Sequence, residues 1–176
     1  MATLPVLETE RMVLEPLTWE HQAAIYEMDR DPAVMQYIGR AGRAKTQNEV
    51  ADWIRRRMKG TQGLGTWSAF NKKDQTFSGA YLLVQLEEST HIEIGYRLPK
   101  HCWGKGLATE GATRILHYAF TDLHLPEVVA VAYPENRASR KVMEKLGLQY
   151  QKKDWYYQVE VVFYTLSKAQ YLIQYQ

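Results

Sequence analysis

Two glycines at a strand-to-helix junction are the residues of this sequence that point most directly to chemistry. Gly104 and Gly106 lie between a strand-like segment, residues 91–98, and an amphipathic segment that runs to about Asp122. Glycine lets the backbone approach a ligand closely, and the first N–H groups of a helix, together with its dipole, attract anions. Diphosphate is the usual biological anion of this size, so the junction predicts a site for a nucleotide-type cofactor.

Two common phosphate-binding patterns do not fit this junction. A P-loop needs Lys and then Ser or Thr directly after its second glycine, whereas Lys105 lies between the glycines. A dinucleotide fingerprint needs a third glycine where Thr109 stands, and it follows the first strand of a domain rather than a later one. A third pattern, R/Q-x-x-G-x-G/A, fits the spacing, although His101 stands where Arg or Gln is usual.

The elements that must position this junction follow from hydrophobic periodicity and capping signals. Strands are predicted over residues 11–15, 66–71, 79–86, 91–98, 128–132 and 158–166, and helices over residues 18–30, 46–60, 107–122 and 136–147. The order is β-α-α-β-β-β-α-β-α-β-β, in which residues 158–166 are the second strand of a C-terminal hairpin. A strand–helix–strand connection after residue 91 implies a parallel crossover, so we expect a mixed α/β sheet with helices on both faces.

Composition limits the class of protein. A chain of 176 residues predicts one domain over residues 1–176, and a net charge of +2 is too small to indicate a nucleic-acid partner. The single cysteine, Cys102, cannot form an internal disulfide or a multi-cysteine metal cage, and no metal site is expected. The chain shows no secretory pattern and no apolar run near the ~18 residues that span a membrane, so we expect a soluble cytoplasmic protein without a membrane partner.

Two segments in register resemble the GNAT N-acetyltransferase family. Residues 96–110, Y-R-L-P-K-H-C-W-G-K-G-L-A-T-E, resemble its acetyl-CoA-binding motif, most closely in the branch of ribosomal-protein N-terminal acetyltransferases. Residues 136–148, N-R-A-S-R-K-V-M-E-K-L-G-L, are similar to its second signature. The resemblance covers nearly the whole chain. It implies a GNAT-type α/β fold: a mixed, mostly antiparallel sheet with helices on both faces and splayed central strands, here residues 90–98 and 127–133.

The resemblance also implies how acetyl-CoA is bound. Gly104 and Gly106 would cradle the diphosphate, and Leu98 would offer backbone contacts to the pantetheine arm. Asn136 would cap its helix and hydrogen-bond the pantetheine or acetyl region, and Ser139 would face the sulfur. The remaining cofactor contacts would come from His101 and from the backbone N–H groups of Trp103, Lys105, Leu107 and Ala108.

Transfer of an acetyl group to an amine needs a base for the amine proton and an acid for the leaving thiolate. Glu93 is the candidate base, because it lies on the strand before the cofactor loop and opposite the apolar face; His91 and Tyr133 are alternatives. Many relatives carry a Tyr acid where this chain has Met143, which cannot donate a proton. Ser139, alone or with a water, is therefore the candidate acid, and Cys102 is interpreted as incidental because the family forms no acyl-enzyme.

The sequence leaves the acceptor open. The resemblance implies acetyl-CoA-dependent transfer to a primary amine, either a protein N-terminus or a small molecule, with a homodimer as one possible state. A non-catalytic acyl-CoA-binding or sensing module is the alternative, since the usual acid is absent, and a nucleotide-binding regulator is a third reading. An aromatic group either lines an acceptor pocket or belongs to the core: Trp53, Trp67, Trp155, Tyr156 and Tyr157.

Overall fold

The backbone is organised around one eight-stranded sheet, seen in a computed structural model that describes residues 4–39 and 42–175. The strands are β1 (Leu7–Glu8), β2 (Met12–Pro16), β3 (Gly65–Asn71), β4 (Phe77–Gln85), β5 (Ile92–Arg97), β6 (Glu127–Ala132), β7 (Gln149–Tyr156) and β8 (Val159–Ser167). Their spatial order is β1-β2-β3-β4-β5-β6-β8-β7. Every neighbouring pair is antiparallel except β5 and β6, which are parallel.

Helices cover both faces of this sheet. They are α1 (Gln22–Asp29), α2 (Pro32–Met35), α3 (Gln47–Arg57), α4 (Leu107–His117), α5 (Arg137–Lys145) and α6 (Lys168–Tyr175). Ile25 of α1 and Ile54 of α3 share one buried cluster with Ala80 of β4. The larger cluster, on the opposite face, includes Ile115 of α4 and Met143 of α5. The mixed α/β fold with helices on both faces is therefore confirmed.

Local signals explain where the functional helices begin and end. Thr46 and Glu49 form the reciprocal capping box that starts α3. Asn136 caps α5, because its side chain accepts a hydrogen bond from the N–H of Ser139. Gly147 has φ +88° just after α5, the left-handed conformation expected of a C-terminal glycine. These three predictions are confirmed.

The central strands splay apart. β4 and β5 pair through six consecutive residues, whereas β5 and β6 are in register at one pair alone, Glu93 with Val129. Beyond that pair the two strands carry no ladder between them, so their carboxyl halves leave a gap with backbone edges that do not pair with each other. The splayed central strands predicted from the resemblance are confirmed, and the gap opens directly after Glu93.

Several elements were not predicted from periodicity. β1 has two residues and α2 has four, too short for a repeat to appear. The helix expected to reach Asp122 is α-helical to His117 and then continues as a π-helical turn. Pro16 is the last residue of β2, where it lies beyond the stretch paired with β1. Among the described residues no helix is both long and apolar enough to cross a bilayer.

Candidate active site

The loop between β5 and α4 has the geometry of an anion cradle. Gly104 has φ +71° and Gly106 has φ +77°, and Gly106 is the N-cap of α4. A Cβ placed on Gly104 would meet no atom within 4 Å, so the loop faces open space. Within the described chain, the backbone N–H groups of residues 104–108 donate to no protein acceptor. The loop therefore fits a diphosphate, with donors from Lys105, Leu107 and Ala108 beside the glycines.

Arg11, at the start of β2, holds this loop from the other end of the chain. Its Nη1 donates to the carbonyl of Lys105 over 2.9 Å, and its Nε lies 2.6 Å from the carboxylate of Glu110 on α4. Glu110 also accepts from the backbone N–H of Arg11 and from the hydroxyl of Thr9. A Cβ added to Gly106 would lie 3.5 Å from Arg11 Nη2, so the guanidinium borders the cradle.

Trp103 has a different place from the one expected. Its backbone N–H donates to the carbonyl of Lys100 over 3.1 Å and is not available to a phosphate. Its indole N–H donates to the carbonyl of Leu98 over 2.8 Å. Trp103 therefore stabilises the turn that leads into the cradle, and the carbonyl of Leu98 keeps one lone pair for another partner.

The side chain of His101 lies at a cavity outside the cradle. Its side chain is exposed and lines a cavity of about 710 Å³ between α1, α2 and the start of β4, beside Val34 and Phe77. This cavity lies on the β4 side of β5, whereas the gap lies on the β6 side. A contribution of His101 to cofactor binding therefore stays a prediction.

Glu93 is buried at the closed end of the gap. Only 7% of the residue is exposed, and its carboxylate accepts a short hydrogen bond from the hydroxyl of Tyr157. Burial raises the pKa of Glu93 to about 7, while the bond from Tyr157 and the charge of Arg57 act in the opposite direction. A carboxyl group with this pKa can accept a proton near neutral pH, as a general base must.

Tyr157 reaches Glu93 from a strained turn. Tyr157 and Gln158 connect β7 to β8 and have φ values of +53° and +60°. Two consecutive left-handed residues are typical of a tight hairpin turn, but such a turn favours Asn and Gly over a bulky side chain. The hydrogen bond to Glu93 gives this unfavourable residue choice a functional explanation.

Ser139 meets a second tyrosine on the other face of β5. The hydroxyl of Tyr96 donates to the carbonyl of Ser139 over 3.0 Å and lies 3.4 Å from its Oγ. Burial raises the pKa of Tyr96. Met143 is buried in the core at 2% exposure and takes no part in this group. Tyr96 of β5 is thus the phenol that contacts Ser139.

The aromatic residues expected to form a pocket are dispersed. Trp67 is fully buried in the core and Trp155 is 67% exposed at the surface. Tyr156 stacks on Phe163, with ring centroids 5.9 Å apart. Trp53 packs against Arg97 and Tyr157 contacts Glu93, so the five residues do not form one group, and the core alternative holds for Trp67.

The alternative bases are both engaged elsewhere. His91 lies 3.5 Å from Glu127 at the outer end of β5. The hydroxyl of Tyr133 donates to the carbonyl of Gly39 over 2.9 Å, at the opposite end of the gap. Neither contacts Glu93, which leaves Glu93 as the carboxylate at the closed end of the gap.

Comparison with known proteins agrees with this geometry. Residues 11–149 match the family model described as "Acetyltransferase (GNAT) domain". The FsC-acetyl coenzyme A-N(2)-transacetylase of Aspergillus fumigatus is 34% identical over 155 residues, covering 82% of this chain and 65% of that enzyme. The chain thus spans slightly less than two thirds of that relative's length.

Two solved structures show the same fold at low sequence identity. The acetyltransferase (GNAT family) of Bacillus anthracis superposes with a TM-score of 0.81 at 21% identity, covering 94% of this chain and 99% of that one. The spermidine N-acetyltransferase of Vibrio cholerae, in complex with CoA and spermine, superposes with a TM-score of 0.75 at 17% identity, covering 92% of this chain and 98% of that one. The matched family model makes the protein an acyltransferase. The chain belongs to the GNAT acetyltransferase family.

Proposed function

We propose that this protein transfers the acetyl group of acetyl-CoA directly to a primary amine, with Glu93 as base and Ser139, supported by Tyr96, as acid. One observation carries the proposal: the gap between β5 and β6 begins at Glu93 and leads to the Gly104–Gly106 cradle. A ligand with a diphosphate at the cradle and an amide-rich arm in the gap would end beside the carboxylate. When bound, acetyl-CoA supplies the thioester that the amine attacks.

Glu93 accepts the proton of the amine, and Tyr157 positions the Glu93 carboxylate. The Glu93 carboxylate accepts this proton as the new C–N bond forms, and it later releases the proton to solvent. Tyr157 donates to the same carboxylate, so it orients the group and favours its ionised form. This pair gives the acceptor side of the gap its base.

Ser139 and Tyr96 serve the leaving group. As the C–S bond breaks, Ser139 Oγ gives its proton to the thiolate, and Tyr96 replaces that proton from 3.4 Å away. Tyr96 is then reprotonated by solvent. Amine and thioester thus become amide and free thiol, with each proton accounted for.

The test is release of free coenzyme A thiol in the presence of amines. Wild-type protein should release thiol with at least one acceptor class, and Glu93→Gln should lower kcat by at least about a hundredfold, the contribution usual for a general base. Glu160→Gln is the matched control, since Glu160 is an exposed strand carboxylate paired with Lys153. Equal turnover by wild type and Glu93→Gln would exclude Glu93 as the base.

A non-catalytic acyl-CoA sensor is the competing function, and Met143 in place of a tyrosine favours it. The same experiment separates the two, provided that binding is measured in parallel by calorimetry. Tight binding of acetyl-CoA with no thiol release on any amine would support the sensor and overturn the transfer reaction. Turnover that depends on Glu93 and Tyr96 would exclude the sensor.

A further inference from the structure

A cluster of buried charges lies on the acceptor side of β5, the face that carries Glu93. Asp29, the last residue of α1, is fully buried. Its carboxylate lies 2.8 Å from Arg97 Nε and 3.0 Å from Lys45 Nζ. One carboxylate therefore faces two cations, and the cluster carries an excess positive charge.

The excess positive charge is centred on Arg97, whose guanidinium is incompletely paired. Its side chain is 9% exposed, and its Nη2 is buried with no hydrogen-bond partner in the described part of the chain. The guanidinium lies 4.7 Å from the ring centroid of Trp53 on α3. Burial of a cation is costly unless it is paired and hydrogen-bonded, so a missing anion would satisfy this group.

Arg57 extends the positive charge towards the candidate base. It follows Trp53 by four residues on α3, so both side chains project from the same face of the helix. The charge of Arg57 acts on Arg97, on Glu93 and on Tyr157. Arg57 is partly buried, and its side chain makes no ion pair or hydrogen bond with the described residues.

The nearby carboxylates do not neutralise this face. Glu49 lies 2.6 Å from Arg43 and is already paired. Glu87 is exposed at the rim, where water screens its charge. Glu93 loses its own charge when it accepts a proton. A negative group is therefore missing beside Arg57.

We infer that the acceptor is a primary amine carrying a carboxylate, and that this carboxylate pairs with Arg57 while the amine faces Glu93. The inference rests on the proposed function and specifies its substrate class. Guanidinium and carboxylate match as planar, bidentate partners, which favours a carboxylate over a neutral acceptor. A free amino acid and a peptide with an acidic residue near its N-terminus share this chemistry.

The same cations assist the reaction. An ammonium group loses its proton more readily beside positive charge, because the charged form is disfavoured there. Arg57 and Arg97 would thus help to present a neutral amine to the thioester. A polyamine, which brings further positive charge, would meet repulsion on this face.

The experiment compares acceptors in which a carboxylate is replaced by its amide, and each kcat/KM is referred to the neutral-amine form, because the amide lowers the pKa of the neighbouring ammonium group. At saturating acetyl-CoA, kcat/KM is measured for phenylalanine against phenylalaninamide, and for the C-terminally amidated dipeptide Ser-Asp against Ser-Asn. Spermidine is the cationic probe. We expect the carboxylate member of one pair to be preferred about tenfold or more, the size of one charge pair of roughly 1.4 kcal/mol. The favoured pair distinguishes a free amino acid from a peptide.

Substitutions in α3 test whether Arg57 causes the preference for carboxylate acceptors. Arg57→Gln should reduce the carboxylate preference to about one and leave the KM for acetyl-CoA unchanged, and Arg57→Lys should restore part of it. Arg56→Gln is the matched control, because Arg56 is the exposed neighbour on the same helix. The dissociation constants of the preferred acceptor and of its amide are measured by calorimetry with coenzyme A present. Their ratio should change in these variants in the same direction as the kcat/KM preference.

Two results would overturn the inference. One is equal or better use of the amides or of spermidine, and the other is a carboxylate preference that survives Arg57→Gln. Both leave acetyl transfer itself intact. Failure of the proposed function looks different, since no acceptor of any charge would then release thiol.

Discussion

Arg11 Nη1 donates a hydrogen bond to the carbonyl of Lys105 over 2.9 Å, although the two residues are 94 positions apart in the chain. The contact fixes the peptide between the two cradle glycines. Glu110 holds the same guanidinium from the first turn of α4. The conformation of the cradle thus depends on a strand at the far side of the sheet.

Loss of Arg11 should weaken cofactor binding. Arg11→Gln removes the clamp on Lys105 and a positive charge beside the diphosphate site, so we expect the Kd of coenzyme A to rise about tenfold. Acetyl-pantetheine lacks the diphosphate, so its binding should change little. Calorimetry measures both ligands. Arg30→Gln, which breaks an exposed ion pair with Glu27, is the control. An equal loss for both ligands would contradict a role at the diphosphate.

Removal of the Tyr157 hydroxyl should move the pH profile of the reaction. The hydrogen bond from Tyr157 lowers the pKa of Glu93 against the effect of burial. In Tyr157→Phe the pKa should therefore rise, and the acidic limb of kcat/KM should shift to higher pH by about one unit. Tyr156→Phe removes a hydroxyl from the adjacent residue and should leave the limb in place. If the acidic limb of kcat/KM did not shift in Tyr157→Phe, Glu93 would not be the group whose ionisation controls the rate.

Glu93 should also make stability depend on pH. Its pKa is about 7 in the folded protein, against the 4.5 of an ordinary glutamate, so between these values the folded state holds a proton that the unfolded state lacks. Stability is therefore lost as pH rises through this window, by about 3 kcal/mol in total. Denaturant titrations from pH 5 to 8 should show this decline in wild type relative to Glu93→Gln. Parallel curves for the two proteins would contradict it.

Tyr96 and Ser139 should act together on the leaving group. Tyr96→Phe and Ser139→Ala should each lower kcat by about tenfold to a hundredfold without a matching change in the KM of acetyl-CoA. The double variant should cost little more than either single change, because the residues serve one proton. An acetyl donor with a more acidic thiol should recover part of the rate. Full additivity of the two losses would argue for separate roles.

The cradle and both helix starts were predictable because their signals are local. Gly104 and Gly106 indicate a backbone conformation that other residues rarely adopt. Asn136 indicates a helix N-cap, because its side chain can accept from the N–H of Ser139, three residues later. Alternation on β5 also placed Glu93 opposite the apolar face, where it is found. Each of these inferences needs only a few neighbouring residues.

The partners of those residues were not predictable, because they come from distant segments. Arg11 was the first residue of the predicted strand 11–15, and Tyr96 alternates with the apolar residues Ile92 and Ile94 in the predicted strand 91–98. Tyr157 sits in a turn without the Asn-Gly signal that marks such turns. Trp103 was expected to use its backbone N–H on a phosphate, and only the observed 3₁₀ turn shows that Lys100 accepts it.

The clamp from β2 also has a consequence for how the chain assembles. Closing a contact over 94 residues requires most of the sheet between them to be in place, and such long-range contacts form late in folding. In a partly folded chain the glycine loop would not yet have the conformation that binds the diphosphate. Affinity for coenzyme A should therefore appear in the final step of refolding, which makes the cofactor a reporter of completed topology.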